Sequence, residues 1–150
     1  MKKIALLPGL LGELDSDSAD EPQMSYAVAT EHGRYRHVVF SGNTHEEGTL
    51  REQARTILEY FEEGLAAFGG GINDVIESRW YVREDELSRE GQVALHEVRS
   101  EFFERPHYPA STMIGVASLL DDALVEIELI AKIPDDEWEV ETIDLDDVDV

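Results

Sequence analysis

The chain contains no cysteine among its 150 residues. This absence excludes cysteine nucleophiles, thiolate zinc sites, disulfide bonds and thiol redox switches. It also means that disulfide content cannot indicate the cellular compartment of the protein. A chain of this length in which 42% of the residues are hydrophobic can bury a core without such supports. We therefore predict one domain that folds without a metal or a covalent cross-link.

Basic residues are scarce. Lysine and arginine number 12 against 34 acidic residues, which gives a formal net charge of −22, and lysine occurs only at positions 2, 3 and 132. Because nucleic-acid affinity depends on cations that neutralise phosphates, this balance argues against a nucleic-acid partner and against an anionic membrane. It suits a halophilic cytoplasm, where the Debye length is about 3 Å at 1 M salt. The alternative is an acidic protein of a mesophile, which works at ordinary salt concentrations.

Long apolar runs are also missing. The opening run MKKIALLPGLLG is interrupted by Pro8 and Gly9, and no small-residue cleavage site follows it. No other run approaches the roughly 20 residues that a membrane span requires. We expect neither a signal peptide nor a transmembrane segment. Residues 1–24 are interpreted as an acidic arm, with ordered structure starting near Ser25.

The hydrophobic spacing predicts an α+β domain at residues 25–133. Two strands with a turn at His32-Gly33 come first, followed by a helix for which Thr49 and Glu52 form a capping box. A strand at 74–83 places Ile76, Ser78, Trp80 and Val82 on one face, and a second helix runs from about 85 to 104. The order β-β-α-β-α-β-β predicts a mixed sheet with two helices on one face and an open face for oligomerisation.

Residues 108–131 are predicted to form a hairpin, that is, two strands joined by a short acidic turn. On its second strand Glu126 and Glu128 point the same way between apolar residues. Such carboxylates need a partner or a wet cleft. Residues 134–150 form an acidic tail, either a docking or edge segment or a solvated one.

Several strings occur in an order that resembles the RidA/YjgF family, also called the L-PSP endoribonuclease family. They are SGN after the second strand, DVI, WYVR, EFF, PAST and VEIELIA. The resemblance covers residues 25–133 and implies a chorismate-mutase-like fold that trimerises, with clefts between neighbouring subunits. It also implies hydrolysis of enamines and imines to a keto acid and ammonia without a bound cofactor.

The resemblance assigns roles residue by residue. Glu126 matches the glutamate that orients the attacking water, Gly42 matches a strand-end glycine of the cleft, and Tyr26 matches a cleft tyrosine more loosely. His96 stands where members often carry asparagine. Glu126 could alternatively form an inter-subunit ion pair, for example with Arg79.

The family's substrate-anchoring arginine is missing. Where the pattern reads Pro-Ala-Arg, this chain has Pro109-Ala110-Ser111, followed by Thr112. A hydroxyl cannot replace a planar cation that grips a carboxylate with two hydrogen bonds. Ser111 and Thr112 are therefore candidate ligand contacts, and Arg79, Arg99 or Arg105 are candidates to restore the positive charge.

Three functions follow from these residues. The first is a small-metabolite binding protein with an altered inter-subunit cleft, and the second is an imine or enamine deaminase with an altered substrate. The third, an endoribonuclease, is disfavoured by the charge. The five histidines lack paired metal-ligand spacing, so no metal site is predicted.

Overall fold

The computed structural model describes residues 1–9 and 22–149, so half of the predicted acidic arm, residues 10–21, lies outside the described residues. The strands are β1 Lys3–Leu6, β2 Ala27–His32, β3 Tyr35–Phe40, β4 Asn43–Thr44, β5 Val75–Arg83, β6 Ala110–Val116 and β7 Val125–Pro134. The helices are α1 Leu50–Ala67 and α2 Arg89–Phe102. The sheet order is β1-β2-β3-β7-β5-β6, with β4 also paired to β7.

Both helices cover one face of this mixed sheet, as predicted. Helix α1 begins after Thr49, whose side chain and that of Glu52 form the predicted capping box. Its apolar stripe packs on the sheet through Leu50, Ala54, Ile57, Leu58, Phe61 and Leu65, all of which are buried. The packing of this stripe, rather than helix propensity alone, fixes α1 on the sheet.

Helix α2 begins at Arg89 after an N-cap at Ser88, four residues later than predicted from position 85. Gly91 allows this start, because a Cβ there would lie 1.9 Å from the carbonyl oxygen of Glu86. The turn before the helix therefore packs closely against the first turn of α2. The residues that were predicted to begin the helix form this turn instead.

Ordered structure does not start near Ser25. Strand β1 lies upstream and pairs antiparallel with β2, with Lys3 opposite Thr30. Its side chains Ile4 and Leu6 pack against the hydrophobic core. These four residues were too few, and too close to Pro8, for their alternation to indicate a strand.

The predicted hairpin at 108–131 was wrong, because β5 lies between β6 and β7. Strand β5 pairs parallel with β6 and antiparallel with β7, so that Ser78 is opposite both Ser111 and Leu129. The segment β5-α2-β6 is thus a crossover unit with parallel strands, for which a helical connection is required. Period-two alternation identifies a strand but not its neighbour.

A register shift between Val75 and Glu77 changes the faces predicted for β5. Val75 is buried and Ile76 is 37% exposed, the reverse of the prediction, whereas Ser78, Trp80 and Val82 are buried as expected. A bulge of this kind reverses the alternation on one side of it. The predicted faces are therefore wrong only at the start of β5, before Glu77.

The second face of the sheet bears no helix in the part of the chain that the structure describes. It exposes Val39 and Ile114, at 44% and 47%, beside the charged side chains of β5 and β7. Past β7, Trp138 donates a hydrogen bond from Nε1 to Oδ1 of Asp74 over 2.8 Å, so the start of the acidic tail contacts the domain. Neither α1 nor α2 is long and apolar enough to cross a membrane.

Candidate functional site

The residues predicted for the site fall into two groups on opposite faces of the sheet. Glu126 points to the open face, next to Gly42. Ser111 is in register with buried Ser78 and points to the helix face, where His96 on α2 lines the same pocket. Thr112, one residue further, is in register with Arg79 and lies on the open face, because neighbouring strand residues alternate.

Glu126 has space because residue 42 is a glycine. A Cβ at Gly42 would lie 2.9 Å from both Cδ and Oε2 of Glu126. Burial, and to a smaller extent the charge of Glu128, raise the pKa of the Glu126 carboxyl above its ordinary value. The carboxylate is therefore held in a partly dry position from which it can accept a proton.

Glu128 has partners within the chain. Its Oε1 accepts a hydrogen bond from the Tyr81 hydroxyl over 2.5 Å and lies 3.5 Å from Nη1 of Arg79. Arg79 also pairs through Nε with Oε1 of Glu77 at 2.9 Å. Within the chain, the positive charge of Arg79 is thus directed to these two carboxylates rather than to Glu126.

Tyr26 supports the Glu126 group from the core. Its ring is buried against Phe40 and Phe61, and its hydroxyl accepts a hydrogen bond from Nδ2 of Asn43 over 3.0 Å. Burial raises the pKa of Tyr26 to about 12, an effect that the Asn43 hydrogen bond partly offsets. Because Asn43 follows Gly42, the hydroxyl braces the strand beside Glu126.

A cavity of about 400 Å³ opens beside Ser111, between α2 and the edge strand β6. Its lining combines three serines, a histidine, an arginine, two aromatic rings and a proline: Ser78, His96, Arg99, Ser100, Phe103, Tyr108, Pro109 and Ser111. Its size and mixed lining are typical of sites for small molecules. Arg99 was one of three arginines named as possible replacements, and of the three it alone lines this cavity.

The guanidinium of Arg99 reaches the position of the missing arginine. Its Nη2 donates a hydrogen bond to Oγ of Ser111 over 2.7 Å, and its Cζ lies 4.5 Å from the ring centroid of Trp80. Nε of Arg99 is buried without a hydrogen-bond partner among the described residues. Burial lowers the pKa of this guanidinium below its ordinary value.

Glu126 and Ser111 do not meet within one chain. They lie on opposite faces, on strands separated by β5, and their partners on β5 are Tyr81 and Ser78. Three residues of strand span about 10 Å, and two interstrand steps add roughly 10 Å across the sheet. A site that uses both groups requires a second copy of the chain.

The fold and the two groups define a small α+β protein with a cationic pocket at one sheet edge and a partly buried carboxylate on the open face. Residues 18–133 match the family described as Endoribonuclease L-PSP. The chain belongs to this family, which includes the RidA and YjgF proteins, as the resemblance predicted.

Relatives of this chain share about a third of the aligned residues. A RutC family protein of Pyrococcus horikoshii is 33% identical over 85 residues, which are 56% of this chain and 63% of that protein. A 2-iminobutanoate/2-iminopropanoate deaminase of Dermatophagoides farinae is 31% identical over 86 residues, 57% of this chain and 63% of the relative. The chain thus matches less than two thirds of the length of these relatives.

Solved structures agree with the fold over most of the chain. RidA from an Antarctic Psychrobacter is 26% identical, with a TM-score of 0.63 over 81% of this chain and 97% of that structure. A YjgF family protein of Neisseria meningitidis is 20% identical, with a TM-score of 0.68 over 91% and 98% respectively. The second similarity is one of fold alone.

Proposed function

We propose that this protein binds a small metabolite in a cleft between neighbouring copies of the chain, which assemble as a homotrimer. The observation that carries the proposal is the separation of the Glu126 group from the Ser111 pocket. Each group faces outward, and one copy alone cannot bring both to the same ligand. A neighbouring copy that sets its Glu126 face against the pocket would complete the site.

The open sheet face supports the assembly. Val39 and Ile114 are nearly half exposed there, and Ile130, opposite Val39 in register, continues the apolar surface. These apolar side chains lie on β3, β7 and β6, and exposed apolar surface on a sheet face that no helix of the described residues covers favours a partner. The residues of β5 around this surface carry charges that could pair across an interface.

An imine or enamine deaminase is the second candidate, favoured by the carboxylate of Glu126 and by the similarity to the deaminase of Dermatophagoides farinae. In this reaction Glu126 would hold a water molecule and accept one of its protons as the oxygen attacks the imine carbon. Glu126 passes this proton to the nitrogen, and the tetrahedral adduct then loses ammonia as the proton of its new hydroxyl moves to the departing nitrogen, which leaves a keto acid. A carboxyl whose pKa is raised toward the working pH suits such proton transfer.

Ammonia release and ligand binding distinguish the two candidates. We would measure both with 2-iminopropanoate generated in the assay and with 2-oxobutanoate as a stable ligand, in purified wild type and in Glu126→Gln. Glu59→Gln, an exposed substitution on α1, is the matched control. A deaminase releases ammonia in wild type and in the control, and Glu126→Gln lowers that rate by about 100-fold or more.

A binding protein without this activity is stabilised by a small ligand but releases ammonia no faster than background. If a broad set of small metabolites neither binds nor reacts, and if the protein is a monomer at all concentrations tested, the proposal is wrong. RNA cleavage that requires Glu126 would instead favour an endoribonuclease.

A further inference from the structure

We infer that Arg99 is the anion-binding residue of this pocket and that, with Ser111, it holds the carboxylate of a small monocarboxylic ligand. This inference rests on the proposed function, since it names the ligand class of the same cleft. The positive charge that the strand position 111 lacks is supplied from helix α2.

The hydrogen bond between Arg99 and Ser111 positions the charge. At 2.7 Å, Nη2 of Arg99 uses the serine hydroxyl as an acceptor, which directs the guanidinium toward β6. The indole of Trp80 contacts the guanidinium on another side at 4.5 Å and is itself fixed, because its Nε1 donates to Oγ of Ser78 over 3.0 Å. Serine at 111 therefore serves to orient a cation.

Among the described residues Arg99 makes one hydrogen bond, from Nη2 to Ser111, so Nη1 and the second hydrogen of Nη2 are available to a ligand. Nε is buried without an acceptor, and no carboxylate lies within 4.0 Å of the guanidinium in the described ranges. In contrast, five other arginines have acidic partners within that distance: Arg36, Arg51, Arg55, Arg79 and Arg83. In a chain with a net charge of −22, a partly buried arginine without an acid partner is unusual.

The cavity restricts what this cation can hold. Phe103 and Pro109 give apolar walls, and Ser100 and His96 give polar ones, around a volume of about 400 Å³. A single guanidinium matches the charge and planar geometry of one carboxylate, which it can bind through two parallel hydrogen bonds. The geometry thus fits a monocarboxylate with a short apolar chain better than a phosphate, which carries more charge.

A matched pair of probes tests this assignment, namely 2-oxobutanoate and its uncharged methyl ester, measured by calorimetry. Wild type should prefer the acid, and Arg99→Gln should weaken acid binding by about 10- to 100-fold while ester binding changes little. Arg99→Lys should retain part of the preference for the acid. Arg89→Gln, an exposed substitution on the same helix, should match wild type.

A rescue variant separates binding from folding. In the double variant Arg99→Gln with Ser111→Arg, the charge returns to the strand, and the acid preference should recover. A merely structural role for Arg99 predicts no such recovery. If Arg99→Gln keeps the full preference while wild type binds the acid, the inference is wrong and the proposed function stands.

Other results also decide the matter. The inference is overturned if wild type binds acid and ester equally or binds neither, or if inorganic phosphate binds more tightly than 2-oxobutanoate. Binding of uncharged metabolites alone would contradict the role of Arg99 but would leave the inter-subunit cleft in place. Loss of all binding, ammonia release and assembly would remove the proposed function as well.

Discussion

At the scale of single residues, Glu126 illustrates a conflict between stability and chemistry. Its carboxyl is partly buried beside Glu128. It also fills the space that a side chain at position 42 would need, which is why a glycine fits there. Burial penalises the charged form, so the folded protein binds the proton of Glu126 more tightly than the unfolded chain does. The same environment keeps the group suited to proton transfer.

Glu126→Gln should therefore raise the stability at neutral pH. Because the folded pKa lies above the ordinary 4.5, the favourable contribution of Glu126 is present below that value and is lost as the pH rises through the folded pKa. The melting temperature of the variant should exceed that of wild type by up to about 3 °C at pH 7 to 8. Solvent exposure limits the size of the effect.

Thermal melts from about pH 4 to 8 would follow this difference, which should shrink as the pH falls through the folded pKa. Glu59→Gln, on the exposed face of α1, should show no such pH dependence. A Glu126→Gln protein that is less stable than wild type at neutral pH would mean that a cation pairs with this carboxylate.

The structure brings some of the predicted site residues together and separates others. Glu126 and Gly42 were predicted to share a cleft; the two lie side by side, and the cleft stays a prediction. Arg99 could only be named beside Arg79 and Arg105, because the rotation of a helix over a strand is decided by tertiary packing. Ser111 and Thr112 were grouped, although strand alternation alone sends them to opposite faces.

At the scale of elements, local signals predicted local structure. The capping box of Thr49 and Glu52 gave the start of helix α1 to the residue. Strand pairing was less predictable, since the partner of β6 depends on how the β5-α2-β6 crossover folds back onto the sheet. A parallel neighbour and a hairpin neighbour give the same alternation in the sequence.

Gln53 joins elements that the sequence did not connect. It is 2% exposed, donates from Nε2 to the Gly48 carbonyl over 3.1 Å, and accepts from the Leu124 amide at Oε1 over 2.9 Å. The side chain therefore fixes helix α1 both to the turn before it and to the start of β7.

Gln53→Leu should destabilise the fold by about 1–3 kcal/mol, because it removes two part-buried hydrogen bonds, the one to the Gly48 carbonyl and the one from the Leu124 amide. Chemical denaturation would give the free energy of unfolding. Gln53→Glu, which keeps the acceptor for Leu124, separates the two hydrogen bonds. Exposed Gln92→Leu on α2 is the control for the loss of a glutamine. Equal stability of Gln53→Leu and wild type would show that water replaces both bonds.

At the scale of the whole molecule, charge and the open face act together. Seven ion pairs in the described residues are all at least partly solvent-exposed, so each contributes little to stability. Pairing within the chain does not change the net charge, which remains −22. Bringing copies of the chain together concentrates this charge, and salt should therefore strengthen the assembly by screening it.

Val39→Glu tests the assembly directly. Val39 is 44% exposed on the open face, where it faces Val28 and Ile130 in register, and a glutamate there would place an unpaired charge in the proposed interface. In about 2 M KCl, where screening is strong, light scattering should give wild type three times the 16.9 kDa chain mass and the variant a single chain. Ile143→Glu, at a site 72% exposed in the acidic tail, should remain assembled.

Binding of 2-oxobutanoate should weaken in the Val39→Glu variant as the assembly is lost, because the Ser111 pocket and Glu126 then have no neighbouring copy. A wild-type monomer that binds this ligand at full affinity would show that one chain suffices.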